Sequence, residues 1–434
     1  MGFWRDDFTE EQIHYVFEKI RGIRTIGSDG RISFKDRAYD EWIAVLVSAF
    51  GLKVKSDALR HRIISSALFS SDLAADFTDK DFRGVANRLC HKYQTEDLRV
   101  YRIAFPIWNK PSFLQGTRKM GDVSLNFTPS PKTQLFKRII RERAVQRTDR
   151  IYEMIFTEER LRDLQQCSIC LAHVRANSPA DANEQASEKL YQILGLVNLA
   201  IDGGKHWRLS SRMAGKLPVS DVLIGPHTTT HFENGKLTHD GFWHENWVGG
   251  PVRRTRSTEA MIAWERRVQQ LMEGTSKSPW RDSCKSAAAR YLKAFSNPNL
   301  EESFLEGWRL FENISGSRHT KIPNQILRAS NVFESNTEYF IIGKHLALRR
   351  NLLAHGHAIT ADDGETVVFQ MLRFVVPFLK RYILNSLNFQ SEKEFWEFLD
   401  LPAQNDKRVA KRSEHERQLE LLAKAASFRN ETDW

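Results

Sequence analysis

The residues best suited to carry chemistry in this sequence lie in the segment LALRRNLLAHGHAI, at 346–359. Within it, Arg350, Asn351 and His355 form the pattern R-N-x-x-x-H. On a helix, Asn351 and His355 are i and i+4 and so lie on one face, and the side chain of Arg350 is long enough to reach the same point. Imidazole gains and loses a proton near neutral pH. The three side chains therefore predict a site for proton transfer beside a fixed positive charge.

The expected end of this helix supports that prediction. Gly356 can adopt the left-handed conformation that ends a helix, which would place His355 in the last turn. The carbonyl groups of a helix C-terminus favour imidazolium, so a proton that can be gained or lost is expected there. The alternative is a histidine that caps the helix beside ordinary surface arginines, and the spacing alone favours this alternative.

A zinc site is a second candidate. Two residues separate Cys167 from Cys170, with His173 nearby, and thiolates at this spacing can share a tetrahedral metal. No second pair of cysteines or histidines follows to complete the set, and Cys90 with His91 would supply the missing ligands only by a coincidence of folding. We therefore favour buried apolar cysteines.

A group of histidines and acids in a strand-like region is a third candidate, and histidine and carboxylate can both ligate metals. Its members are His227, His231, His239, Asp240, His244 and Glu245. Their spacing fits no metal signature, so surface or hairpin histidines are the favoured interpretation. The sequence also contains no Walker A loop, Rossmann glycine fingerprint, G-x-S-x-G elbow or kinase signature, and we expect neither a metal nor a cofactor.

The composition predicts a folded protein of more than one domain. Of the 434 residues, 41% are hydrophobic and 27% are charged, and four cysteines are too few for a disulfide framework. No apolar stretch approaches the roughly 18 residues needed to span a bilayer, and the first residues contain no apolar region typical of a signal peptide. We expect a cytoplasmic protein with no membrane partner. The net charge of +10 favours polyanionic partners such as nucleic acid.

The hydrophobic periodicity changes along the chain and predicts its organisation. The first part contains helical patterns at 9–21, 36–50, 55–69, 78–89, 132–166 and 178–201. It contains strand patterns at 97–127, 167–174 and 205–250, and the last of these includes a hairpin-like turn at Asn234–Gly235. These predict an α+β N-terminal domain at 1–250. We expect it to have a sensor or regulatory role, although the periodicity itself indicates only the fold class. After a linker at 249–257, long amphipathic patterns predict an all-α domain at 258–400. The charged residues 401–434 are expected to form a solvated or partner-ordered tail.

A resemblance to a known family rests on two helices of the all-α part. The segment EGWRLFENI places Trp308 four residues before Glu312, and R-N-x-x-x-H followed by Gly356 comes later. A helical bundle with these motifs resembles the HEPN (higher-eukaryote and prokaryote nucleotide-binding) superfamily, in particular its larger ApeA-type members of phage defence. The likeness covers about 258–388. It implies an all-α HEPN-like helical bundle following the α+β region.

The resemblance also implies an activity. Many HEPN domains are metal-independent endoribonucleases, which makes Arg350, Asn351 and His355 the catalytic candidates. The implied reaction is attack of a ribose 2′-OH on the adjacent phosphorus, in which His355 transfers a proton and Arg350 holds the phosphate as its charge grows. Asn351 would orient either partner. Glu312 either fixes Arg350 or takes part directly.

The implied partners are an RNA substrate and a second copy of the chain. In the family the active motifs usually meet across a dimer interface, which implies a homodimer through the C-terminal domain. An excess of apolar residues on the helices at 333–355 and 365–388 fits either such an interface or helices buried in a large core; they are Phe340, Ile341, Phe369, Phe374 and Phe378. A phage component or a nucleotide would act as trigger, in antiphage defence (abortive infection) or as a toxin. The alternative is a non-catalytic HEPN module that binds a nucleotide or a protein.

Overall fold

A capping box begins the first helix, as the sequence predicts. In the computed structural model the Thr9 hydroxyl accepts from the backbone of Gln12 at 3.3 Å, and the Gln12 side chain accepts from the backbone of Thr9 at 3.0 Å. The structure describes residues 2–36, 38–52, 54, 56–95, 98–145, 167–202, 218–225, 227–242, 257–317, 320–356 and 361–429.

The chain divides into two compact units, each built from several segments. The first comprises Met1–Trp108, Gln115–Leu190 and Ile224–Glu245, and the second comprises Asn109–Leu114, Tyr191–Leu223 and Asn246–Trp434. The predicted linker at 249–257 lies, apart from Ser257, outside the described residues. The division into domains at 1–250 and 258–400 therefore stays a prediction.

Helices and a short hairpin form the beginning of the first unit. They are α1 (Glu10–Ile23), β1 (Arg24–Ile26), β2 (Ile32–Phe34), α2 (Ala38–Ala49), α3 (Asp57–Leu68) and α4 (Asp79–Thr95). Their apolar faces share one core, in which the Trp4 ring stacks on Phe82 with centroids 6.0 Å apart. The buried guanidinium of Arg24 donates to the carbonyl of Leu68 at 3.0 Å, which satisfies the end of α3.

An antiparallel sheet follows. Its strands and the helices that accompany them are β3 (Arg99–Trp108), β4 (Thr117–Met120), β5 (Val123–Asn126), α5 (Gln134–Val145), β6 (Ser168–Ala176), α6 (Pro179–Asp202), β7 (Leu223–Ile224), β8 (Thr228–Phe232) and β9 (Leu237–Phe242). The order across the sheet is β4-β5-β6-β3-β8-β9, with β7 paired to β3 off this path. Gly235 has φ +85° in the β8–β9 turn, which confirms the predicted hairpin at Asn234–Gly235.

The second unit is helical after residue 257. Its helices are α7 (Thr258–Lys277), α8 (Arg281–Phe295), α9 (Leu300–Ile314), α10 (Ile322–Ser330), α11 (Asn336–Ala354), α12 (Ala361–Leu384), α13 (Glu392–Leu399) and α14 (Asn405–Phe428). Aromatic side chains of α8, α9 and α12 fill its core, among them Phe295, Phe311 and Phe374. The fold is thus mixed α/β, with an antiparallel sheet early and helices later, as predicted at the coarse level.

The β1–β2 hairpin and α10 are additional to the sequence prediction, because each is too short to show a clear hydrophobic period. The predicted helix at 132–166 is described only as α5, since 146–166 lie outside the described residues. The charged tail contains α14, whose side chains are exposed along almost the whole helix, with Ala426 buried.

Helix α11 has two apolar faces. Gly343 and Leu346 are buried on one face, whereas Ile341 and Leu348 are 62% and 58% exposed. A Cβ atom on Gly343 would lie 2.4 Å from Cγ2 of Ile326 in α10 and 3.0 Å from Cζ of Phe374 in α12. Glycine at this position therefore allows α11 to approach its two neighbours closely.

The apolar residues noted on the last long helices of the sequence divide between core and surface. Phe369, Phe374 and Phe378 belong to the core, and Ile341 faces solvent. None of the helices formed by the described residues is both long enough and apolar enough to cross a membrane.

We predict that Gly343→Ala destabilises the second unit. The added methyl group would overlap Ile326, and overpacking of this kind costs about 1–3 kcal/mol, more than the roughly 1 kcal/mol that alanine gains in helix propensity. The matched control is Gly84→Ala within α4, where the nearest atom to a new Cβ is a flexible Arg88 nitrogen at 3.9 Å. Calorimetry should show a lowered transition for Gly343→Ala and an unchanged or raised one for Gly84→Ala. Equal transitions in the two variants would contradict the close approach.

Candidate functional site

Helix α9 carries the acidic side chain of the site. The Asn299 side chain caps the helix by accepting from the backbone of Glu301 and Glu302, at 3.0 and 3.2 Å. The ring of Trp308 is buried, and its indole nitrogen donates to Oε1 of Glu312, one turn later, at 2.8 Å. The Glu312 carboxylate is thereby fixed by a side chain that is itself held in the core.

Helix α11 brings the basic side chain to this carboxylate. A guanidinium nitrogen of Arg350 lies 3.5 Å from Oε1 of Glu312. A second nitrogen of the same guanidinium donates to Oδ1 of Asn351 at 3.1 Å. Arg350 is thus held between a carboxylate on α9 and an amide on its own helix. Its side chain remains 35% exposed, so one side of the guanidinium is open to a ligand.

His355 caps the C-terminal end of α11. Its backbone N–H donates to the carbonyl of Asn351 at 3.1 Å, and Gly356 follows with φ +82°. This confirms the predicted left-handed glycine at the helix end. The His355 side chain is exposed. Helix geometry places it one turn beyond Asn351 on the same face.

The predicted site residues are therefore brought together in part. The structure joins Glu312, Arg350 and Asn351 by direct contacts. The imidazole of His355 lies on the same face without a contact to the Arg350 guanidinium in the described part of the chain. The arrangement can bind an anion at Arg350 and offer a proton donor or acceptor at His355.

A network that sequence reasoning missed holds the end of α9. The buried Arg328 of α10 donates to both carboxylate oxygens of Asp400, at 2.8 and 2.6 Å, and also to the backbone carbonyl of Ser315. The indole of Trp396 donates to the carbonyl of Ile314 at 2.8 Å. These bonds fix the chain immediately after Glu312. Pro323 in the first turn of α10 was the available signal, because proline is favoured at helix starts.

The cysteine candidates are mostly buried. Cys170 has no exposed surface and Cys90 is 7% exposed, and burial raises the pKa of the Cys90 thiol. A buried neutral thiol binds metal poorly, because the thiolate is the ligand. Cys167 is partly exposed just before β6. Burial agrees with the favoured interpretation of apolar cysteines.

The histidine candidates include one well-defined buried side chain. The two ring nitrogens of His231 lie 3.1 Å from the carbonyl oxygen of Gly235 and 2.9 Å from the Thr229 hydroxyl. Burial, followed by the nearby Arg143 guanidinium, lowers the pKa of His231 to about 4, so the ring is neutral at pH 7. Both ring nitrogens are thus occupied within the sheet.

The rest of that histidine cluster is beyond what the structure describes. The side chains concerned are those of His239, Asp240, His244 and Glu245. Within the described ranges, no group of three or more histidine, cysteine or acidic side chains is placed to hold a metal ion.

Comparison of the chain with models of protein families, with curated proteins and with solved structures found no match. The case for a function therefore depends on the residues themselves.

We predict that Glu312 contributes little to stability through its charge and more through its hydrogen bond. Glu312→Gln keeps an acceptor for the Trp308 indole and loses a partly exposed ion pair, so unfolding should change by less than about 1 kcal/mol. Glu312→Ala leaves a buried indole N–H without its acceptor and should cost about 1–3 kcal/mol. The control is Glu306→Ala on the same helix, whose partner is the exposed Arg309. If Glu312→Gln is as destabilising as Glu312→Ala, the ion pair rather than the indole bond holds the carboxylate.

Proposed function

We propose that this chain is a metal-independent endoribonuclease of the HEPN type, with its active site at the end of α11. The observation that supports the proposal is the Arg350 guanidinium, which is oriented by Glu312 and Asn351 and remains partly exposed, five residues before an exposed His355. A buried structural arginine would have its donors directed inward. We propose that one phosphodiester contacts both the anchored guanidinium and the imidazole.

In the proposed reaction the ribose 2′-oxygen forms a bond to the adjacent phosphorus, and the bond from phosphorus to the 5′-oxygen breaks. The 2′-hydroxyl loses a proton and the leaving 5′-oxygen gains one, which yields a 2′,3′-cyclic phosphate and a 5′-hydroxyl. His355 transfers one of these protons. Arg350 stabilises the negative charge that grows on the nonbridging oxygens, and its fixed position avoids reorganisation during the reaction.

Glu312 and Asn351 act in this proposal as positioning residues. Glu312 is tied to the Trp308 indole and partly neutralises Arg350, so it sets where the guanidinium points. Asn351 contacts the guanidinium through Oδ1, which leaves its amide nitrogen available to a reacting oxygen.

A second copy of the chain would supply the second proton-transfer group. Ile341, Leu348 and His355 are spaced by seven residues and so form one stripe along α11, of which the two apolar members are exposed. We propose that this stripe is the interface of a homodimer, which would bring two His355 side chains into one cleft. One imidazole would then act as base and the other as acid.

The proposed biological role is antiphage defence by abortive infection, or toxicity, in the cytoplasm. The first unit would sense a phage component or a nucleotide and restrain the nuclease until then. This role depends on the likeness of the motifs to HEPN proteins of phage defence.

We predict that Arg350→Ala and His355→Ala each abolish cleavage of single-stranded RNA. Both side chains are at least partly exposed at a helix end, so unfolding should change by only about 0.5 kcal/mol. Matched controls in the same unit are Arg309→Ala, which removes an exposed arginine paired with Glu306, and His415→Ala, which removes an exposed histidine of α14. Cleavage rates and thermal transitions would be measured for all four variants.

Activity at the wild-type rate in either site variant would refute the assignment. RNA binding without any cleavage by the wild-type chain, weakened by Arg350→Ala, would favour the non-catalytic HEPN module that the motif also allows.

We also predict that Leu348→Glu produces a monomer and lowers cleavage by at least tenfold, because a charge on the stripe would have to be buried at the interface. Ile262→Glu is the control, since Ile262 is 54% exposed on α7 and lies off the stripe. Light scattering would give the mass of each variant, and cleavage would be measured across a dilution series. A fully active wild-type monomer at every concentration would refute the shared site and leave the ribonuclease proposal intact.

A further inference from the structure

A row of polar and cationic side chains crosses the antiparallel sheet of the first unit. The strand register pairs Lys119 with Ser124, Ser124 with His173, and His173 with Arg102. Directly paired residues of neighbouring strands lie on the same face of a sheet. The four side chains therefore stand side by side on β4, β5, β6 and β3. Arg175, two residues beyond His173 on β6, faces the same way.

Part of this face is covered. Ala104 and Leu171, the next pair along β3 and β6, are buried against Ile139 of α5. At the β8 end of the row, His231 pairs with Arg102 and is completely buried. By contrast, Lys119 on β4 and Arg175 near the end of β6 are exposed. The row thus extends from the strands beside α5 to β4, the last strand in the order of the described sheet.

Arg102 lacks the partners that a partly buried guanidinium normally has. Within the part of the chain that the structure describes, its buried Nε has no hydrogen-bond acceptor. Burial lowers the pKa of Arg102, and the charge of Glu233 opposes that shift. A half-buried arginine with an unsatisfied N–H is a site where an anion would be favourable.

The local potential on this face is positive. Burial lowers the pKa of His173, and the charges of Arg102 and Arg175 lower it further, while Glu233 acts in the opposite direction. The pKa of His173 is thus affected by the charges of two arginines and one carboxylate.

The length of the row identifies the kind of anion. Neighbouring strands lie about 4.8 Å apart, so the distance from β4 to β3 is about 14 Å. One phosphate cannot contact both Lys119 and Arg102 over that distance, whereas consecutive phosphates of a strand can. No aromatic side chain belongs to the row, so recognition would be through the backbone and not through base stacking.

We propose that this sheet face binds the phosphate backbone of a nucleic-acid strand, through Arg102, Arg175 and Lys119, with Ser124 and His173 as further hydrogen-bond partners. The binding site belongs to the first unit and requires no catalysis. Its test is therefore independent of the proposed ribonuclease activity.

The test is fluorescence anisotropy with a labelled 2′-O-methyl oligouridylate and the full chain, across a series of KCl concentrations. This probe has no free 2′-hydroxyl, so binding can be measured whether or not the chain cleaves RNA. The double variant Lys119→Gln/Arg175→Gln should bind about tenfold more weakly at low salt. Its salt dependence should also be reduced, by about 0.7 in logarithmic slope for each phosphate that the variant no longer neutralises.

The control is Arg99→Gln/Arg118→Gln. Arg99 on β3 and Arg118 on β4 each lie one residue from a position on the row's face, so their side chains point to the opposite face of the sheet. The control therefore removes the same number of positive charges. This double variant should bind like wild type, and Glu233→Gln should bind more tightly because the opposing carboxylate is gone.

Equal weakening in the two double variants would mean that only net charge matters and would overturn the proposal. Unchanged binding in Lys119→Gln/Arg175→Gln would overturn it as well. Displacement of the probe by equimolar inorganic phosphate would indicate a site for a single phosphate and would contradict a strand.

Discussion

The Glu312 carboxylate is the contact on which the candidate site depends. It accepts from the buried Trp308 indole on its own helix and lies 3.5 Å from the Arg350 guanidinium of α11. Packing of α9 therefore determines where Arg350 points. The Arg328–Asp400 pair then secures the chain just beyond α9, and Gly343 lets α11 come close to α10 and α12. The packing that fills the core of these helices thus also positions the partly exposed guanidinium.

Local features of the site could be predicted from sequence because they depend on residues close along the chain. The left-handed Gly356 and the placement of His355 at a helix end are of this kind. The contact between Glu312 and Arg350 joins residues on different helices, and no periodicity encodes it. The same holds for Arg328 and Asp400, which are 72 residues apart. Only the W-x-x-x-E spacing hinted that Trp308 and Glu312 bond to each other.

The arrangement of side chains across the sheet could also not be predicted from the sequence. Alternation along β3 and β6 can be recognised in the sequence, but the row from Lys119 to Arg102 depends on which strands are neighbours and on their register. The order β4-β5-β6-β3 is not the order of the chain. His173 was considered with the cysteines as a metal ligand, whereas the register places it between Ser124 and Arg102. Its neighbours across the sheet, not its neighbours in sequence, indicate what it can bind.

The central claim is that Arg350 and His355 cleave RNA through its own 2′-hydroxyl. The most direct test is mass spectrometry of the ends produced when the chain cuts a defined single-stranded RNA in the presence of EDTA. Attack by the 2′-hydroxyl without a metal predicts cleavage under these conditions, with 2′,3′-cyclic phosphate or 3′-phosphate ends and 5′-hydroxyl ends. Cleavage that stops with EDTA, resumes with a divalent metal and leaves 3′-hydroxyl ends would contradict it.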